Sequence, residues 1–108
     1  MSANAFAPNG LTIEIACTSG ATTGVRCDGL VHNATQRMVQ NLGSKIAYLA
    51  NGTSSVAAVV PTSSVPNNGI PILAGAVLVL SFPPGSYFSA ICGGSDTTTL
   101  ALTPGEGN

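Results

Sequence analysis

The sequence predicts an all-β fold, a single antiparallel β-sandwich of jelly-roll type, and three observations support this prediction. Helix signals are nearly absent, because glycine, proline or β-branched residues interrupt almost every window of about ten residues. Residues 11–17 (LTIEIAC) alternate apolar and polar side chains, which is the period-two pattern of a strand with one buried face. Short apolar runs recur between turns rich in glycine, asparagine and proline, as they do in sandwiches and barrels.

Seven further runs have the composition of strands. They are residues 23–31, 35–42, 45–50, 56–60, 76–82, 86–92 and 98–103. Residues 76–82 (AVLVLSF) carry apolar side chains on both parities, so we expect a central strand that is covered on both faces. We also expect this strand to form a hairpin with residues 86–92 across the Pro83-Pro84-Gly85 turn. Leu78→Asp should then abolish folding, because it would bury an unpaired charge.

Two segments lack strand patterning and are expected to lie outside the sheets. Residues 1–10 (MSANAFAPNG) are predicted to form an extended N-terminal arm on a sandwich domain of residues 11–108. Residues 61–71 (PTSSVPNNGIP) contain three prolines, which predicts a long exposed connection. Such segments either fray or dock on a neighbouring subunit. The residues expected to make intersubunit contacts are Phe6, Pro8, Asn9, Pro61, Val65, Pro66, Asn67 and Ile70.

The composition predicts a surface that is covered in the working state. The 108 residues are 44% hydrophobic and only 6% charged, with a net charge of -1, whereas globular domains carry about 25% charged residues. A free monomer with so few charges is prone to self-association. Only Arg26, Arg37 and Lys45 are cationic, and they form no basic stripe, so nucleic acid is not an expected partner.

The uncharged stretch of residues 70–94 does not predict a membrane-spanning helix. Such a helix needs roughly 20 apolar residues, and Pro71 together with Pro83-Pro84 leaves only residues 72–82 uninterrupted. The N-terminal segment also lacks the basic and apolar regions of a signal peptide. The cytoplasm of the producing cell is therefore the expected compartment of synthesis.

The three cysteines, Cys17, Cys27 and Cys92, show neither CxxC spacing nor Cys/His ligand spacing. With no export signal, we expect reduced and buried thiols. A Cys17–Cys27 bridge is the alternative, if the two residues lie on neighbouring strands.

No constellation of residues predicts catalysis, and we expect no catalytic residue, cofactor or metal. The carboxylates do not form a glycosidase-type pair by spacing. His32 is the single imidazole. Composition leaves a triad of His32, Asp28 and a serine open, because Asp28 lies close to His32 in sequence and serine is plentiful, but no GxSxG elbow places a nucleophile. The glycine-rich turns lack the GK[ST] continuation of a phosphate loop. An enzyme is therefore the least favoured reading of this sequence.

The order of segments resembles small structural proteins encoded beside the capsid genes of tailed bacteriophages and prophages. The resemblance covers nearly the whole chain and is carried by residues 35–54 (TQRMVQNLGSKIAYLANGTS), 69–92 (GIPILAGAVLVLSFPPGSYFSAIC) and 97–108 (TTTLALTPGEGN). An APNG arm at residues 7–10 precedes them. These are turn and strand signatures, and they include no catalytic residues.

The resemblance implies a capsid decoration, or cement, protein: a β-sandwich, often trimeric, that binds the outer surface of the major capsid protein lattice and stabilises the head. The expected partners are then the major capsid protein and further copies of the chain, with no nucleic acid, membrane or cofactor. The arm and loop residues named above would be the capsid or subunit contacts. The rival hypotheses are a head-completion, neck or tail subunit, and a surface module that binds a glycan or receptor.

Overall fold

The computed structural model describes residues 6–29, 34–64 and 69–106. The described residues form nine β-strands and no helix, and hence no helix that could cross a membrane. The strands are β1 (Ala7–Pro8), β2 (Ile13–Cys17), β3 (Val25–Arg26), β4 (Gln36–Asn41), β5 (Ala47–Gly52), β6 (Ile70–Ile72), β7 (Val77–Ser81), β8 (Tyr87–Cys92) and β9 (Thr98–Glu106).

The strands form two antiparallel sheets, which confirms the predicted all-β class and is compatible with a β-sandwich. In the first sheet, β9 pairs with β1 and β2 on one side and with β4 on the other, and β7 follows β4. In the second sheet the order is β3-β8-β5-β6. The nine-residue strand β9 is therefore the centre of the first sheet.

One hydrophobic cluster joins the two sheets. The alternating burial of β4, with Arg37, Val39 and Asn41 buried, shows which face of the first sheet points to this cluster. Phe82 and Phe88 meet edge to face within it, with ring centroids 5.0 Å apart. The buried members are Ile15, Cys17, Cys27, Val39, Ala47, Leu49, Ile72, Phe82, Phe88, Ala90, Cys92, Leu100 and Leu102. Burying each large apolar side chain contributes about 1.5–3 kcal/mol.

Asn41 connects the two sheets through a buried side chain with all of its hydrogen-bonding capacity used. Its Nδ2 donates to the carbonyl of Ile72 in β6 at 2.9 Å and to that of Lys45 at 2.7 Å. Its Oδ1 accepts from the Thr98 hydroxyl at 2.7 Å and from the Gly43 N–H at 3.1 Å. A buried amide with every partner in place fixes the spacing of the sheets at this end.

The prediction of a central strand at residues 76–82 is wrong. β7 is an edge strand, and Val77, Leu78 and Val79 are 59%, 37% and 43% exposed. Among the described strands, β9 holds the central position and β7 pairs with β4 alone. Leu78 is too exposed for the expected loss of folding on Leu78→Asp.

The predicted hairpin between residues 76–82 and 86–92 is also wrong. β7 pairs with β4, whereas β8 pairs with β3 and β5 in the second sheet. The prolines of the Pro83-Pro84-Gly85 turn have no N–H to continue a ladder. Gly85 adopts a φ of 78° and donates its N–H to Asp28, which directs the chain from one sheet to the other.

Residues 56–60, predicted as a strand, lie instead across the outer side of the second sheet. The Val56 N–H donates to the Thr53 carbonyl at 3.0 Å in a turn, and the Ala58 N–H donates to the Ser89 hydroxyl of β8 at 3.0 Å. The backbone is thus paired with a side chain and a turn, not with a β-ladder. Ser89 and Ala58 are buried as a result.

Other strand bounds also differ from the predictions. Of the predicted run at residues 23–31, the described residues 23–29 contribute only the two residues of β3, and residues 30 and 31 lie outside the described residues. After β3, the Cys27 N–H still bonds to the Ser86 carbonyl, and Gly29 forms an isolated bridge to Gly10. β1 and β6, at residues predicted as arm and loop, are short strands on sheet edges. Both contain a proline, and because proline in a run argues against a central strand, the sequence pattern did not predict a strand at either position.

The cysteines are free thiols, and all three are buried, as predicted. The alternative Cys17–Cys27 bridge does not form. Cys27 donates its thiol to the Leu102 carbonyl at 3.6 Å, while the thiol of Cys17 donates to the Ile15 carbonyl at 3.5 Å.

Candidate interaction surface

β7 presents apolar side chains on both of its faces at the edge of the first sheet. Leu78 lies opposite the fully buried Val39 of β4, so Leu78 and Leu80 point to the core side. The alternate residues, Val77 and Val79, point to the outer side. Leu80 is half-buried and packs against the core, whereas the other three are exposed. An exposed apolar strand of this length at a sheet edge is a place where another chain can bind.

The backbone of β7 also has unpaired groups. At the two ends of its ladder with β4, the Phe82 N–H donates to the Thr35 carbonyl and the Asn41 N–H to the Ala76 carbonyl, both at 3.0 Å. Hydrogen-bonded pairs alternate along an antiparallel ladder, so residues 78 and 80 also bond to β4. The N–H and C=O groups of residues 77, 79 and 81 therefore point away from β4. Within the described part of the chain, no backbone or side-chain group bonds to them.

The outer side of the first sheet continues from β7 as a face of apolar and polar side chains with little charge. One row of directly opposed residues runs from Glu14 through Ala101 and Gln40 to Val77. A second row runs from Thr103 through Met38 to Val79. Across these two rows Glu14 is the only charge. We call the two rows together with the edge of β7 the β7 surface.

The predicted arm contacts lie along the end of β9, on the opposite edge of the first sheet from β7. Pro8 is exposed and pairs with Gly105. Phe6 is half-buried against Gly105, and the Cβ of any other residue at position 105 would collide with the Phe6 ring. Asn9 donates its N–H to the Pro104 carbonyl at 3.0 Å and its side-chain amide to Glu106 at 3.4 Å. The described part of the predicted arm therefore lies against the chain's own last strand.

The predicted loop contacts belong to the second sheet. Ile70 is half-buried in β6, opposite Leu49, and packs against the core. Pro61 is half-buried close to Gly69. Val65, Pro66 and Asn67 lie outside the described residues. The arm and loop residues thus line different sheets, and the contacts described for one group do not involve the other.

Asp28 and Arg37 form a buried charged cluster beside the first sheet. Arg37 is fully buried in β4 and donates to the Cys27 carbonyl at 2.6 Å and to the Ala34 carbonyl at 3.1 Å, while its Nη2 lies 3.8 Å from Asp28 Oδ1. The Arg37 guanidinium also lies 5.4 Å from the ring centroid of Phe88. Both charges therefore act on groups of the same chain, which is a structural arrangement.

Asp28 is held in its ionised form by its surroundings. Burial by itself would raise the pKa of this carboxyl, but N–H groups of Gly29, Ala34 and Gly85 donate to it and Arg37 adds a positive charge, so the pKa lies below its ordinary value. An acid held in this way is poorly suited to accept a proton near neutral pH. His32, the other residue of the triad left open by the sequence, lies outside the described residues.

Burial favours the protonated form of all three thiols. Burial raises the pKa of Cys17 and that of Cys27 to about 11 each, and burial followed by the charge of Asp96 raises the pKa of Cys92. Over residues 6–29, 34–64 and 69–106, no group of three or more His, Cys, Asp or Glu side chains is placed to hold a metal ion.

Comparisons with known proteins do not assign this chain to a family. No protein-family model, no curated protein and no solved structure matches it. The candidate site therefore rests on the geometry of the chain alone.

Sequence reasoning missed the β7 surface because the residues that form it resemble a buried strand. Apolar side chains on both parities are typical of a strand covered on two faces, and here they lie at an edge. The one available signal was the absence of charge from residue 46 to residue 95, which includes every residue of β7.

Proposed function

We propose that this chain is a bacteriophage capsid decoration protein, a cement subunit that binds the outer surface of the major capsid protein lattice and stabilises the head. It would be made in the host cytoplasm and become part of the virion surface. The proposal includes a jelly-roll-like sandwich over residues 11–108 and an arm over residues 1–10. The proposed role needs no catalysis, cofactor, nucleic acid or membrane.

The observation that carries this proposal is the β7 surface, with its exposed apolar edge strand and its single charge, on a chain with only three lysine and arginine and four acidic side chains. Burying hydroxyl, amide and paired backbone groups against a neighbour costs less than burying unpaired charges. A surface of this composition suits a subunit that is held by several protein neighbours at once. The segment resemblance described above supplies the phage setting.

Stabilisation in this role follows from mass action and avidity. A subunit that binds only the assembled lattice shifts the equilibrium towards the assembled state. Once one contact to the lattice is made, each further contact is intramolecular. Its effective concentration is then on the order of millimolar for short connections. Moderate individual contacts then give a durable attachment.

The copy number of the chain in purified virions tests the proposal. Quantitative mass spectrometry against the major capsid protein should give a ratio near one to one, or one to a few. A total of about a dozen copies or fewer, the number in a symmetric ring, would instead place the chain in the neck or tail. Absence from particles would overturn the proposal and favour the glycan- or receptor-binding module.

A binding experiment with variants tests the surface itself. Heads that lack the chain are mixed with wild-type protein or with Gln40→Glu, which adds a charge to the outer row between Ala101 and Val77. Reduced occupancy with Gln40→Glu is expected. Val59→Glu is the matched control, since Val59 is 46% exposed and lies in the segment over the second sheet. Equal occupancy for all three proteins would remove this face from the capsid contact.

A further inference from the structure

The described sheet edges differ in how they are protected against pairing with another chain. β6 contains Pro71, β3 is two residues long and carries Arg26, and β1 contains Pro8. β2 carries the exposed Glu14. Proline, charge and shortness are the usual means by which edge strands avoid association. β7 has none of these, since its five residues are Val-Leu-Val-Leu-Ser.

From this we infer that β7 is the contact between two copies of this chain, which pair edge to edge as antiparallel strands about a twofold axis at Val79. The occupant of the edge is a second copy of the same strand. The two first sheets then form one continuous sheet, in which β7 of one copy lies next to β7 of the other. This inference does not depend on the proposed capsid role, because the pairing uses the backbone edge of β7 and leaves the two outer rows of the β7 surface open to a capsid contact.

The backbone pattern of β7 fixes the register of this contact. Residues 77, 79 and 81 point their N–H and C=O groups away from β4, as derived above. A twofold axis at Val79 places residue 79 opposite its own copy and residue 77 opposite residue 81. All three are then hydrogen-bonded pairs, and since each such pair exchanges two N–H···O bonds, about six bonds form. A shift of the axis to a neighbouring residue would lose pairs.

The side chains of β7 are complementary to themselves in this register. On the core side, Leu78 of each copy lies opposite Leu80 of the other. On the outer side, Val79 lies opposite its own copy and Val77 lies opposite Ser81. No charged residue occurs between residues 46 and 95, so the strand does not repel its copy. A partner strand must be apolar on both faces and uncharged, and β7 itself has this composition.

The turns at the two ends of β7 limit the contact to this strand. The Ala76 N–H donates to the Leu73 carbonyl at 3.0 Å in the turn before β7, and Pro83 and Pro84 follow it. Neither boundary allows the ladder to extend into neighbouring residues. A closed twofold dimer is therefore expected, in place of the trimer that the segment resemblance implies.

The mass of the purified chain in solution, measured by light scattering coupled to size-exclusion chromatography, tests this inference. The wild type is expected at twice the 10.7 kDa of one chain. Val79→Pro should halve the mass, because it removes an outward N–H without breaking a bond to β4. Val79→Lys should do the same by opposing two like charges at the axis. Circular dichroism shows whether each variant is folded, and if proline disrupts the strand, the lysine variant carries the test.

Val59→Lys is the control, since its side chain is comparably exposed at 46% but lies over the second sheet. It should remain a dimer. A second measurement fixes the register: Val79→Cys should cross-link to a disulfide dimer with glutathione disulfide, which is reduced to two glutathione molecules. Leu11→Cys, 77% exposed, should not cross-link.

Four outcomes would overturn the inference. They are a monomeric wild type at every concentration, a trimer, polydisperse aggregation, and a dimer that survives Val79→Lys with its mass unchanged. Dissociation of the Val59→Lys control would also count against it, since the contact would then involve the second sheet. Copy number in virions is a separate readout, so failure of the dimer and failure of the capsid proposal are distinguishable.

Discussion

At the scale of single residues, the charged side chain of Asp28 connects separate segments of the chain. Its carboxylate accepts from the N–H groups of Gly29 at 2.8 Å, Ala34 at 3.0 Å and Gly85 at 2.9 Å. These groups belong to the segment after β3, the segment before β4 and the connection between β7 and β8. One buried side chain, 3% exposed, thus holds three separate parts of the chain together.

Asp28→Asn should lower the free energy of unfolding by about 3 kcal/mol, because it leaves the buried Arg37 without its counter-charge and weakens three charge-assisted hydrogen bonds. Urea denaturation at neutral pH measures this change. Glu14→Gln, which alters an exposed carboxylate on β2, is the control and should change stability little. Equal stability of Asp28→Asn and the wild type would contradict the structural role of the cluster.

The same residue predicts an acid-dependent loss of stability. The pKa of Asp28 is lowered in the folded state, by its N–H donors and Arg37 against the opposing effect of burial. Its contribution is therefore fully present above the unfolded value of about 3.9 and is lost as pH falls through the lower folded pKa. Denaturation of the wild type from neutral to acid pH should show this loss. The Asp28→Asn variant should show a smaller change over the same window, and parallel curves would refute the assignment.

At the scale of elements, the position of a strand in the first sheet decides how much its side chains contribute. Leu102, Val39 and Leu78 lie side by side on the core side of β9, β4 and β7. Leu102 and Val39 are 0% exposed, whereas Leu78 is 37% exposed. The same side-chain type therefore has a core environment on β9 and a surface environment on β7.

A pair of matched substitutions measures this difference. Leu102→Ala should cost roughly 2–5 kcal/mol because it leaves a cavity in the core. Leu78→Ala should cost about 1 kcal/mol or less, since a partly exposed leucine loses little transfer free energy. Thermal or urea unfolding of the two variants gives the comparison. The comparison is made at protein concentrations low enough for the chain to be monomeric, where similar losses at the two positions would contradict the exposed position of Leu78. At high concentration, pairing of β7 with a second copy should increase the loss at Leu78 alone.

The segment with the clearest alternation, residues 11–17, was predicted correctly as a strand. Ile15 and Cys17 of β2 are buried as that pattern requires, whereas Leu11 precedes the strand and is 77% exposed. Residues 76–82 and 56–60 were misplaced because continuous apolar side chains do not distinguish a central strand from an edge strand or from a segment lying across a sheet. Whether such a segment is a central or an edge strand depends on which strands pair with it. In the first sheet this order depends on β9, which is distant in the sequence.

The sequence predicted the composition of the candidate surface but not its location. Low charge indicated a covered surface, but the arm and loop residues expected to form it lie on other edges or outside the described residues. The β7 surface arises from a sheet order that no local pattern specifies. A sequence gives the composition of a surface more readily than its location.

At the scale of the whole molecule, deletion of residues 2–8 separates the arm from the domain. The deletion removes the pairing of β1 with β9 and the contact of Phe6 with Gly105. The fold should persist with a loss of roughly 1–3 kcal/mol, since one half-buried aromatic side chain is removed. On the capsid proposal, occupancy on heads should also fall.

Thermal unfolding and head binding of the deletion variant provide the two readouts. Full occupancy would remove the arm from the capsid contact while leaving its structural role intact. Loss of folding would show that residues 2–8 belong to the domain itself, and the boundary at residue 10 would then be wrong. Pro8→Ala, which keeps β1 in place, is the control for the deletion.

The central position of β9 also has a consequence for how the chain folds. Among the described strands, β2 and β4 are joined in the first sheet through β9, which begins more than half of the chain length after β4 ends. That half of the core must therefore wait for long loops to close, and the entropy of closing them is lost before the contacts form. We expect slow, cooperative folding in which β4 and β7 stay exposed until residues 98–106 arrive between β2 and β4.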